Sequence, residues 1–179
     1  MPRYARPAID APPAIADDGA PYGSRWDTAD GPPEDAYSRT SHPERFSPLH
    51  AVADALVAHL AATHEVTVVE GPDPALADPH PDAVRTIRLT PRDGTGRTLE
   101  LEWTSFPGVL LHSGRRMAEA FPPCGCDACD DRWEDVADSL EEAVLLAAGQ
   151  LPPPPEPFGE LVDRSAARSP RPRVGTLAR

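Results

Sequence analysis

Apolar residues recur at helical spacing in two stretches of the chain, and between those stretches they alternate with polar ones. Leu49, Val52, Ala53, Leu56, Val57 and Leu60 lie at i, i+3, i+4, i+7, i+8 and i+11. That spacing predicts a helix over residues 48–63 with one apolar face. Ser47-Pro48 ahead of it reads as an N-cap serine followed by a proline in the first helical position. Trp133, Val136, Ala137, Leu140, Val144 and Ala147 share a face of a second helix. Gly149 is its natural stop, and Pro152-Pro153-Pro154-Pro155 cannot continue it. Asp130 or Asp131 is the expected cap, with Asp131 and Glu134 at capping-box spacing.

Between the helices the period changes to two. Val66-Thr67-Val68-Val69 is β-branched and short, and residues 84–90 form a second strand. Leu99, Leu101 and Trp103 alternate with Glu100, Glu102 and Thr104, which predicts a strand with one buried face and one wet face. Residues 109–112 and 115–121 supply a fourth and a fifth strand. A loop with several prolines covers 71–82, and Phe106-Pro107-Gly108 is a turn. The later connections are too short for parallel crossovers, so the strands pair antiparallel. The expected fold is α+β: two amphipathic helices packed on a four- or five-stranded antiparallel meander sheet.

Composition sets the boundaries. Of the 24 prolines, fourteen lie in residues 1–36 and 152–179. Without periodicity, 1–36 reads as a disordered, acidic, proline-rich tail, 37–151 as the single folded domain, and 152–179 as a disordered tail rich in proline and arginine. The net charge is −12 and every basic residue is arginine. That acidity argues against nucleic acid and against an anionic membrane as partners. No run approaches the roughly 18–20 apolar residues of a membrane span, and no apolar stretch follows Met1 to Pro7 as in a secretory signal. A cytoplasmic location is expected, where thiols stay mostly reduced.

All three cysteines fall within Cys124-Gly125-Cys126-Asp127-Ala128-Cys129, between the last strand and the second helix. Thiolates are soft ligands, and zinc takes four N, S or O donors in a tetrahedron. Cys126 and Cys129 can meet one ion, and Cys124 can reach it across Gly125, where glycine permits a tight turn. Zinc is therefore the expected cofactor. The candidate fourth donors are His112 at the end of the preceding strand, His50 if the first helix starts beside the second, and Asp127 or Asp130. A rival chemistry is redox, because a Cys-x-x-Cys at a helix start lowers a thiol pKa. Asp127, Asp130, Asp131, Glu134 and Asp135 oppose it, since negative neighbours disfavour thiolates, and only Arg132 is close in sequence. A bound cation would offset that repulsion, which favours metal over redox. In a third reading, the cysteines are reduced thiols packed under the helix.

Elsewhere His42, His50, His59 and His64 surround the first helix, the places of ordinary surface histidines. No nucleophile-elbow, Walker-type or dinucleotide glycine pattern is present, so the expectation leans away from an enzyme. The first reading is a domain whose cysteine cluster binds a structural metal and which serves in interaction with an unidentified protein partner. The alternative is thiol–disulfide exchange through Cys126 and Cys129.

Tyr37-Ser38-Arg39, Pro43-Glu44-Arg45-Phe46 with Leu49-His50, Phe106-Pro107-Gly108, and Phe121-Pro122 followed by the cysteine string resemble an uncharacterised actinobacterial family of unknown function. The resemblance covers residues 37–151 and neither tail. It implies the domain boundaries and the cluster, and no activity. It also implies asparagine at the position of His42, which sets His42 aside as a ligand.

Overall fold

The computed structural model describes residues 3–27, 31–72, 79–114 and 118–149; the tail expected over 152–179 lies outside them. The first helix, α1, spans Pro48–Thr63, and Leu49, Val52, Ala53, Leu56 and Leu60 on its apolar stripe are fully buried. Proline opens it as expected, but Ser47 has helical backbone angles and makes no side-chain cap. Five strands follow: β1 Val66–Glu70, β2 Ala83–Pro91, β3 Leu99–Thr104, β4 Val109–Ser113 and β5 Ala118–Phe121. The second helix, α2, spans Trp133–Ala148.

The strands pair in chain order, β1-β2-β3-β4-β5, and every pairing is antiparallel. Leu101 stands opposite Ile87 on one side and Leu111 on the other. With Val66, Leu89, Leu99, Trp103, Val109 and Phe121 these residues form the sheet's contribution to one core, shared with the buried stripes of α1 and α2. The architecture is therefore α+β, with both helices on one face of a meander.

Two local expectations are corrected. The alternation along β3 predicts a wet face, yet all six of its residues are buried, Glu100 and Glu102 at 1% exposure. β3 is the middle strand, and the chain entering β2 lies over its second face: the His80 N–H donates to Glu102 Oε2 at 3.1 Å. Nor does Asp130 or Asp131 cap α2. The N-cap is Arg132, without a side-chain cap bond. The Asp130 carboxylate instead accepts from the backbone N–H and guanidinium of Arg25.

Residues 3–27, expected as part of a tail, are laid along the domain. Tyr4 donates to Glu141 at 3.0 Å, and Arg6 pairs with Glu141 and Asp138 on α2. Tyr22 is 4% exposed, with the guanidinium groups of Arg25 and Arg45 4.1 and 4.2 Å from its ring centre. Two short 3-10 turns, Glu34–Ser38 and Pro43–Phe46, lead from this segment into α1. The segment leaves no periodic trace because its backbone is irregular and it is held by isolated anchors. His42, between the turns, has φ +50, a left-handed conformation that asparagine adopts more readily than most residues. Among the described residues no helix is long and apolar enough to cross a membrane.

The packing of Tyr22 is directly testable. A residue in a solvated tail can be truncated without loss, whereas Tyr22→Ala here removes a buried ring and two cation–π contacts. We expect it to destabilise the protein by about 2–4 kcal/mol, read as a lowered urea midpoint with an unchanged m-value.

Candidate metal centre

The chain leaves β5 through Phe121-Pro122-Pro123, and the cysteine string curls back before α2 begins. The curl is fixed from inside by its two aspartates. Asp127 is 1% exposed. Its carboxylate accepts from the Ser41 N–H at 2.8 Å, the Ser41 hydroxyl at 2.8 Å and the Arg39 guanidinium at 2.9 Å. Its carbonyl accepts from Arg25 at 2.6 Å and from the Trp26 indole at 3.0 Å. The backbone N–H groups of Asp127 and Ala128 donate to the carbonyls of Arg39 and Ala36. Arg45, 5% exposed, reaches the Gly125 carbonyl at 3.3 Å.

Gly125 does not serve its expected purpose. Its φ is not in the left-handed range; instead, an added Cβ would run into the ring of Phe106. Glycine is needed there for close approach of a neighbour, not for a special turn angle.

With the aspartates turned inward, the thiols are turned outward. Cys124 and Cys129 are exposed and Cys126 is half-buried. The three sulfur atoms lie within 4.8 Å of one another, and Cys126 Sγ stands 3.5 Å from Cys129 Sγ. The Cys126 N–H donates to Cys124 Sγ at 3.4 Å. Hydrogen bonding from the Cys124 thiol holds Cys126 below the ordinary thiol range, against the opposing effect of burial and with help from the N–H groups of Cys129 and Ala128. Burial first, and then the hydrogen bond to Cys126, pushes Cys129 up to about 12.

The structure separates the expected fourth ligands from this cluster. His50 Nε2 donates to the Gly108 carbonyl at 3.1 Å, while its own carbonyl accepts from the Trp103 indole at 3.3 Å. It is held at the β3–β4 turn with its Nε2 occupied as a donor. His112 gathers with Glu100 and Glu102, not with the thiols. Asp127 and Asp130 spend their oxygens on Ser41, Arg39 and Arg25. Among the described residues, the three cysteines form a group of their own. The acids expected to repel a thiolate are thus largely answered by arginines. Sequence reasoning gave Arg25, Arg39 and Arg45 no role at the loop, although Arg39 and Arg45 stand in the motifs of the resemblance, since all three come from 80 to 105 positions away.

An α+β domain with helices on one sheet face and a cluster of thiols at the start of its second helix is the class so defined. The chain belongs to the Family of unknown function (DUF6226), whose model matches residues 12–152. The match begins well before residue 37, in keeping with the packing of the early segment. No curated protein and no solved structure matches the chain.

Burial alone would raise the Asp127 pKa, but the Ser41 and Arg39 hydrogen bonds outweigh it and hold it below the usual carboxylate range. A group with a lower pKa folded than unfolded stabilises fully above its unfolded value, about 3.9. That stabilisation fades as pH falls through the folded value. Asp127→Asn is therefore expected to lower stability by about 1–3 kcal/mol at pH 7. It should also flatten the decline of unfolding free energy between about pH 5 and pH 2, measured by urea denaturation across that range.

Proposed function

We propose that the cysteine loop is a binding site for zinc or a similar thiophilic ion, in a domain that serves interaction, not catalysis. The observation that carries this reading is the convergence of three sulfurs on a loop whose shape is set by other contacts. Donors about 2.3 Å from one tetrahedral ion stand about 3.8 Å apart, and the 3.5 Å between Cys126 and Cys129 is close to that spacing. The loop is held by Arg25, Arg39, Ser41 and Arg45, so the ion is not the keystone of the fold. Bound there, it would sit at the surface with three protein donors. Its fourth position would be left to a donor from outside the described residues, such as a partner side chain or solvent.

Purification under reducing conditions, followed by elemental analysis, tests the reading. One equivalent of zinc per chain that disappears when Cys126→Ser and Cys129→Ser are combined is expected. A content near zero, with all three thiols freely titratable in the folded protein, rejects it. Chelation of the ion should leave the far-UV circular dichroism spectrum unchanged, since arginine contacts fix the loop.

A second reading, thiol–disulfide exchange, is favoured by the same 3.5 Å between Cys126 and Cys129. A small closing movement would bring the sulfurs to bonding distance, about 2.05 Å. Mild oxidation of the metal-free protein should then yield an intramolecular disulfide of that pair, reversed by dithiothreitol and seen by peptide mapping. Oxidation that gives only intermolecular dimers would exclude it.

A further inference from the structure

The sheet face turned away from the helices carries a second group of donors. Glu100 and Glu102 stand two apart on β3 and project to the same side, and both are 1% exposed. His112 on β4 is the register partner of Glu100. A carboxylate oxygen from each glutamate and a ring nitrogen of His112 lie within 4.8 Å of one another.

The imidazole supplies the second observation. The His112 side chain is 12% exposed and faces Glu102 Oε1 from 3.6 Å. Its Nε2 atom is buried and has no hydrogen-bond partner. The separation is too long for an N–H···O bond, which ends near about 3.2 Å. It suits two donors of a common ion: at about 2.0–2.2 Å from the metal, neighbouring donors stand about 3.0–3.6 Å apart.

The surroundings fit the same account. Two adjacent buried carboxylates repel each other unless positive charge lies close by. Arg88, opposite Glu100 on β2, stands to one side of the group. The His80 N–H holds Glu102 Oε2 at 3.1 Å, the kind of outer hydrogen bond that orients metal-binding carboxylates.

We propose that Glu100, Glu102 and His112 bind a divalent cation of the manganese, cobalt or zinc class. Two carboxylates and an imidazole are donors that these ions share, whereas thiolates select softer ions. The site uses different residues on different elements from the cysteine loop, so it stands whether or not the thiols bind metal.

The test is a titration of the full wild-type chain with Mn²⁺, following the free ion by electron paramagnetic resonance. Manganese favours carboxylate over thiolate. We expect one equivalent to be bound per chain, and the triple variant Cys124→Ser, Cys126→Ser, Cys129→Ser to bind it equally well. Glu102→Gln and His112→Gln should each weaken binding at least about 100-fold, more than loss of an outer hydrogen bond does. Electron spin-echo modulation of the manganese-loaded wild type should show one directly coordinated ¹⁴N. This reading needs no variant to fold. A free-ion signal undiminished by the wild type, glutamine variants that bind as well as wild type, or bound manganese without ¹⁴N coupling would each overturn the proposal.

Discussion

Asp127 and Asp130 are the constraint on which the cysteine loop and the segment before α1 both depend. A buried carboxylate is costly unless cations and hydrogen-bond donors surround it. The chain meets that demand with Arg39 and Arg25, which lie 88 and 105 positions earlier in sequence. To bring them there, the early segment has to be laid against the loop. Arg25 can then rest on Tyr22 and Trp26, and Arg45 on Tyr22 and Phe46. The aspartates point in, and the thiols beside them, Cys124 and Cys126 before Asp127 and Cys129 between the two, point out. The orientation of the cysteines is thus a consequence of where the carboxylates are satisfied.

What could be read from the sequence follows from this division of labour. Both helices and strands β1 to β4 are legible from apolar spacing and β-branched runs, while the fifth, of a sheet expected to have four or five, is read over 115–121, of which β5 covers Ala118–Phe121. α1 was predicted over 48–63 and spans Pro48–Thr63. The early segment was not legible, since Tyr4, Arg6, Tyr22 and Arg25 act singly, at no fixed spacing. The cap of α2 was misread for a related reason. Asp131 and Glu134 have the right spacing, but Asp130 beside them is drawn to Arg25, and the backbone adopts φ +55 at that aspartate. A local motif lost to a tertiary contact that local sequence does not record.

Glu100 and Glu102 show the same limit in the sheet. Alternation reports which residues share a face, not whether that face is covered. The pattern grouped Glu100 with Glu102 correctly and assigned them to solvent. Coverage depends on β3 lying in the middle and on the path of the chain into β2, and neither is written in six residues.

The two groups of donor side chains differ in how their members come together, and that decides which one a sequence can reveal. On the loop, three cysteines converge because they are neighbours in the chain, so spacing alone exposes them. On the sheet, convergence is set by register: Glu100 and Glu102 by the pleat, His112 by the pairing of β3 with β4. Residue chemistry singled out His112 as a ligand, but only the register shows its companions. A one-residue slip of β4 would turn His112 into the core and bring an apolar neighbour out. The burial of Leu111 and Val109 in the core therefore holds the imidazole beside the two glutamates. The hydrophobic pattern that builds the core also positions these polar groups on the opposite face.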